Sequence, residues 1–141
     1  MNTTTVRCRA IIVDNNEMLT VKHVGNEFVA LPGGHLEPGE SPVECVTREI
    51  IEELGIKPHV GRLLYINSYM DKAKSHSIEF FFAVTNASEF RNIIAENCSH
   101  FDEWEVLHWI SKNSPFKLLP QIVQADFNTS QIPNTPKFIT N

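Results

Sequence analysis

Residues 41–55, SPVECVTREIIEELG, constrain the fold more than any other segment because they mark both of their own ends. Ser41 is a preferred N-cap, Pro42 suits the first helical position, and Glu44, three residues after the cap, completes a capping box. Gly55 suits the left-handed residue just past a helix, with Ile56 following as its apolar contact. A helix over residues 41–54 is therefore predicted. At about 100° per residue, setting Glu49 at zero puts Glu52 at about −60° and Glu53 at about +40°. Val46, Ile50, Val43, Leu54 and Ile51 fall between about +60° and +200°, which predicts an apolar, core-seeking face. Cys45, at about −40°, lies on the carboxylate side as a small packing residue, and Arg48 lies on its outer side.

Three acids at these spacings repel one another, and repulsion of that kind destabilises a helix. A Glu-rich stripe taken alone is usually a solvated surface, but such stripes mix in Lys at i+4, and this one has none. Just upstream runs LPGGHLEPGE, residues 31–40. Gly33-Gly34 can bring bare backbone against a ligand, and Pro38-Gly39 turns the chain before Glu40. Either glycine pair alone would read as a simple turn. Together they set a loop and a fourth acid beside the carboxylates. Clustered carboxylates with a nearby carbonyl are the hard oxygen ligands that Mg²⁺ or Mn²⁺ prefer. Such a cation would offset the repulsion.

The charge distribution points the same way. Residues 34–56 hold six of the 17 acids and one of the 12 bases, leaving 11 of each elsewhere. The excess of negative charge is local. That argues against a nucleic-acid duplex binder, which needs a basic face. A calcium module is also disfavoured, because the DxDxDG ligand loop is missing.

At 141 residues the chain suits one domain with its own core. Residues 6–13 and 18–24 read as a hairpin around the turn cluster Asp14-Asn15-Asn16-Glu17. Further strands are predicted at 28–31, 62–70, 78–84 and 104–110, and a second helix at 117–127. The expected organisation is a single domain over 1–127 and a polar, loosely held tail over 128–141, which contains Pro133 and Pro136. No apolar run reaches membrane-spanning length, and the N-terminus lacks an apolar leader. Cys8, Cys45 and Cys98 are odd in number and unpaired in pattern. A cytoplasmic location with reduced thiols is expected.

As one string, Gly34-(five)-Glu40-(seven)-Arg48-Glu49-Ile50-Ile51-Glu52-Glu53-Leu54-Gly55-Ile56 satisfies GX5EX7REUXEEXGU, with U aliphatic, at every defined position. It resembles the signature box of the Nudix (MutT-like) hydrolases, and it covers 23 of the 141 residues. The resemblance implies an α/β fold: an α/β/α sandwich with a mixed β-sheet and a catalytic loop–helix–loop. It implies Mg²⁺-dependent hydrolysis, with Mn²⁺ as an alternative ion, of a nucleoside diphosphate linked to a further group. Carried over by position, Gly34 (through its carbonyl), Glu49, Glu52 and Glu53 would be metal ligands. Glu40 and Arg48 would orient the carboxylates, and Glu52 or Glu49 would act as general base. Glu103 is a candidate additional ligand, as are Glu96 and Glu105, beside the plain reading of surface acids at a strand start.

For the substrate, Arg7 and Arg9 on the first strand could touch phosphate, His35 belongs to the GGHLE segment, and Phe28 and His76 could line a base pocket. Solvated strand arginines and a core phenylalanine are the ordinary alternatives. The expected partner is a small nucleotide, either a (d)NTP or a related compound. A nucleotide-sugar or dinucleotide pyrophosphatase, and a sensor or scaffold domain that binds nucleotides without cleaving them, are the rival readings. A homodimer is left open.

Overall fold

The chain, as a computed structural model, describes residues 3–71, 73–98 and 104–140. Among the described residues eight strands form two sheets. The larger has the order β4 (Gly33–His35), β1 (Thr4–Ile11), β6 (His76–Val84), β5 (Val60–Met70) and β8 (Lys137–Thr140). It is mixed: β1 runs parallel to β6 and β8 parallel to β5, whereas β4 on β1 and β5 on β6 are antiparallel. The smaller sheet joins β2 (Val13–Asp14), β3 (Glu17–His23) and β7 (Trp104–Ser111).

Side chains alternate across the larger sheet, so each face has its own core. On one face Cys8, Ala10, Phe82 and Val84 pack against Val46, Ile50 and Leu54 of α1 (Pro42–Leu54). On the other, Ile11, Tyr65 and Phe81 pack with Val123 and Phe127 of α2 (Gln121–Asn128). The layers are helix, sheet, helix, the architecture that the resemblance implies. Helix α1 ends as its sequence dictates. The Ser41 hydroxyl accepts from Glu44 N–H at 3.2 Å, the Glu44 carboxylate accepts from Ser41 N–H at 3.0 Å, and Gly55 is left-handed at φ 75°.

Four differences from the sequence reading have physical causes. The first predicted hairpin is real only for β2 and β3, because the strand breaks at Ile12 and its first part, β1, joins the other sheet. Residues 28–31 form two isolated bridges rather than a strand, Val21 with Ala30 and Val29 with Leu118. Residues 137–140 are not a loose tail: they form β8, and Ile139 is only 4% exposed. That pairing joins residues some 70 apart in the chain, which local composition cannot show. The inward face of α1 is also rotated from the expected one. Cys45 and Glu53 are buried with Val46, Ile50 and Leu54, whereas Val43 and Ile51 face outward. The helix turns its acidic edge toward the sheet.

Candidate active site

The loop from Leu31 to Glu40 lies against α1, and two glycines make that approach feasible. Gly33 has φ +147°, and a Cβ there would stand 2.1 Å from the Cys8 carbonyl oxygen of the neighbouring strand. A Cβ on Gly34 would stand 2.4 Å from the Glu49 carboxylate. Any other residue would wedge the carboxylate away from the backbone.

Arg48 is the hub. Its Nε donates to Glu40 Oε2 at 3.1 Å and its Nη2 to Glu40 Oε1 at 2.7 Å, a bidentate grip. Nη1 donates to Glu49 Oε1 at 2.9 Å and to Glu52 Oε2 at 3.3 Å, and Nη2 also donates to the His35 carbonyl at 3.0 Å. One guanidinium thus ties the loop to the helix and offsets much of the repulsion along the acidic edge. The Arg48 guanidinium, with the Glu37 N–H, holds the Glu40 carboxyl at about 2, far below the ordinary carboxylate range. The same carboxylates, Glu40 first, raise the pKa of Arg48 still further.

The remaining acids complete the edge. Glu53 is 8% exposed and accepts from Gly33 N–H at 3.4 Å. The Glu52 side chain is 41% exposed, so it is the most solvent-facing of the three. The Cys45 thiol contacts the Gly34 carbonyl oxygen at 3.8 Å, and its burial raises its pKa strongly. It is a packing residue, as its position on the helix predicted.

Among the described residues no three His, Cys, Asp or Glu side chains converge as a ready metal cluster; the carboxylates converge on Arg48 instead. The donor set nevertheless fits a hard divalent cation. Arg48 engages Glu49 through Oε1 and Glu52 through Oε2, and among the described residues no hydrogen-bond donor meets the second oxygen of either. The glycine cradle brings one of those oxygens, Glu49 Oε2, against the backbone of Gly34. Glu103 lies outside the described residues, Glu96 is exposed on a short 3-10 turn, and Glu105 stands in β7.

On the opposite face of the sheet a cavity of about 330 Å³ opens between β1, β5, β6 and the segment before α2. Arg9 and Phe28, both predicted, line it. So do Asn67, Tyr69 and Glu79, which the sequence reading did not assign together. Glu79 Oε2 accepts from Arg9 Nε at 2.5 Å and Glu79 Oε1 from Asn67 Nδ2 at 3.1 Å, while Arg9 Nη1 donates to the Leu31 carbonyl at 2.9 Å. Arg7 sits beside this group, 3.4 Å from both Tyr69 Oη and Ser77 Oγ. His76 does not belong to it: it is exposed at the start of β6 and on the opposite alternation from Ser77 and Glu79. The His35 side chain is exposed too, and its contribution is the carbonyl that Arg48 holds. The signal for the missed residues is an acid inside the apolar run IEFFF and an Asn inside a β-rich segment. The Leu31–His35 segment divides the two sites, since Gly33 pairs with Arg9 on β1.

A mixed sheet between two helices, with a glycine loop pressed onto an Arg-centred carboxylate helix, defines an α/β protein of the hydrolase type that the sequence resembles. The family model described as NUDIX domain matches residues 3–130, and the chain belongs to the Nudix family. An ADP-ribose pyrophosphatase of Methanocaldococcus jannaschii is 42% identical over 76 residues, which is 51% of this chain and 45% of that protein. The diphosphoinositol polyphosphate phosphohydrolase 3-alpha of Mus musculus is 37% identical over 59 residues, 42% of this chain and 36% of that protein. The chain therefore matches less than half the length of these curated relatives. The crystal structure of a MutT NUDIX hydrolase from Burkholderia pseudomallei superposes with a TM-score of 0.72 over 94% of this chain and 100% of that one, at 22% identity. Among the described residues no helix is long and apolar enough to cross a membrane.

Proposed function

We propose that the protein is a Mg²⁺-dependent hydrolase, with Mn²⁺ able to substitute, that cleaves the pyrophosphate bond of a nucleoside diphosphate linked to a further group. A (d)NTP or a related small nucleotide is the substrate. The observation that carries this reading is the Arg48 hub, which aligns Glu40, Glu49 and Glu52 beside the Gly33-Gly34 cradle. Glu49, Glu52, Glu53 and the Gly34 carbonyl would hold the ion. When bound, the ion neutralises phosphate charge, lowers the pKa of a water and stabilises the leaving oxygen. Glu52, the most exposed of the three, is the general base that takes a proton at its carboxylate, with Glu49 second in line. Arg48 fixes the rotamers of both, so their geometry exists before substrate arrives.

The cavity across the loop takes the rest of the substrate. Arg9 is committed to Glu79 and Leu31, and Glu27 adds a further acid to the lining. A densely phosphorylated inositol would need several uncommitted cations there, so a nucleoside is the better fit. Three free thiols, Cys8, Cys45 and Cys98, support a reducing, cytoplasmic setting. The deciding experiment is a nucleotide panel assayed for phosphate and pyrophosphate release with and without Mg²⁺. Turnover that requires the ion is expected. Normal nucleotide affinity with no hydrolysis would instead make the chain a binding domain.

A further inference from the structure

The wall of the cavity contains a buried acceptor that lacks a donor. Asn67 is 1% exposed, and its Nδ2 is spent on Glu79 Oε1 at 3.1 Å. Glu79, as the ion-pair partner of Arg9, can only accept hydrogen bonds. The amide therefore has one orientation: its N–H₂ end faces the carboxylate, and Oδ1 is left at the other end. Among the described residues, Asn67 Oδ1 is the buried side-chain nitrogen or oxygen atom without a hydrogen-bond partner. A buried acceptor in that state is costly, and in a ligand site it is the group that discriminates between substrates.

We infer that Asn67 is the specificity-determining residue of this site, its Oδ1 accepting a hydrogen bond from an exocyclic amino group on the base of the substrate. The lining gives the chemical class. Phe28, Leu119 and Pro120 offer apolar surface suited to a flat ring, and Phe28 keeps enough exposure to stack on one. Glu27 and Glu79 oppose a second anion in the cavity. The volume of about 330 Å³ sits at the small end for ligand pockets. A neutral, planar, amino-bearing base meets all of these conditions. Arg9 positions the device at one remove, by holding Glu79, which holds the amide.

The substrate identity rests on the nucleotide reading above, so the test is a binding measurement that needs no turnover. Calorimetric affinities would be compared within two pairs that differ by one amino group: GMP against IMP, and AMP against purine riboside monophosphate. The wild-type protein is expected to favour the amino-bearing member of at least one pair by about tenfold. In Asn67→Leu that preference should fall to about twofold or less, with little change for the amine-free member; a residue with only a structural role would weaken both members alike. Equal wild-type affinities within both pairs would overturn the inference, and so would a preference that survives in Asn67→Leu. Should that variant fail to fold, the wild-type comparison still decides. Binding discrimination without hydrolysis would support the Asn67 assignment while removing the enzymatic one.

Discussion

The two faces of the larger sheet solve the same problem, the placement of charge, in opposite ways. On the α1 side the charged groups come from one continuous stretch, residues 40–53, and a single guanidinium organises them at the surface. On the other side Arg9, Asn67 and Glu79 come from three strands, with Asn67 and Glu79 buried and Arg9 partly exposed. A local, half-exposed array can be altered without unfolding the protein, because water screens what is left behind. A buried array is costlier to alter, because removing one member strands the next. Chemistry should therefore fail first on the helix side and stability first on the sheet side.

The largest effect is expected from Glu52→Gln. Loss of this exposed carboxylate, the base proposed above, should lower kcat about 10³-fold, while the thermal midpoint stays within a few degrees of wild type. A variant that retained its rate would move the role to Glu49. Next comes Glu79→Ala, which leaves Arg9 Nε and the Asn67 Nδ2 without their acceptor. Because Arg9 is partly exposed, a loss of about 2–3 kcal/mol is expected in urea denaturation, below the range for a fully buried pair. If Glu79→Ala kept full stability and Glu52→Gln unfolded, the contrast between the faces would be reversed.

Ile139→Ala tests whether β8 belongs to the core on the sheet side. Truncating this buried side chain should cost about 2 kcal/mol, whereas Phe138→Ala at an exposed neighbour should change little. The smallest effect is electrostatic. The folded Glu40 carboxyl is held at about 2, below its ordinary 4.5, by Arg48. Its stabilising contribution is therefore complete above about pH 4.5 and disappears as the pH falls toward 2. The difference in thermal midpoint between wild type and Glu40→Gln should shrink across that window; a difference unchanged down to pH 2 would contradict the Arg48–Glu40 pairing.

How far each region could be read from sequence follows the same division. Helix α1 was legible to the residue because Ser41, Pro42, Glu44 and Gly55 act within four positions of the backbone groups they satisfy. The carboxylate edge was legible because its spacing is fixed by helix geometry. The break at Ile12 was not, since only the pairing of β1 with β6 shows that the strand changes sheets. Nor was β8, whose partner is β5. The Arg9–Glu79–Asn67 group was missed for the same reason: its members lie 12 and 70 residues apart, and only parallel and antiparallel register bring them together. The metal was expected to relieve the repulsion on α1, yet Arg48 already does much of that work. The sequence reading had Arg48 as an orienting residue able to pair with an acid or a phosphate, but assigned relief of the repulsion to the metal.

That last feature has a consequence for the life of the protein in a cell. Many small metalloproteins cannot adopt their native shape until an ion arrives, because the ligands repel one another without it. Here the counter-charge is covalently part of the helix and does not titrate under any physiological condition. On the Mg²⁺-dependent reading proposed above, folding is expected not to wait on ion supply, and scarcity of the cation would idle the protein rather than unfold it.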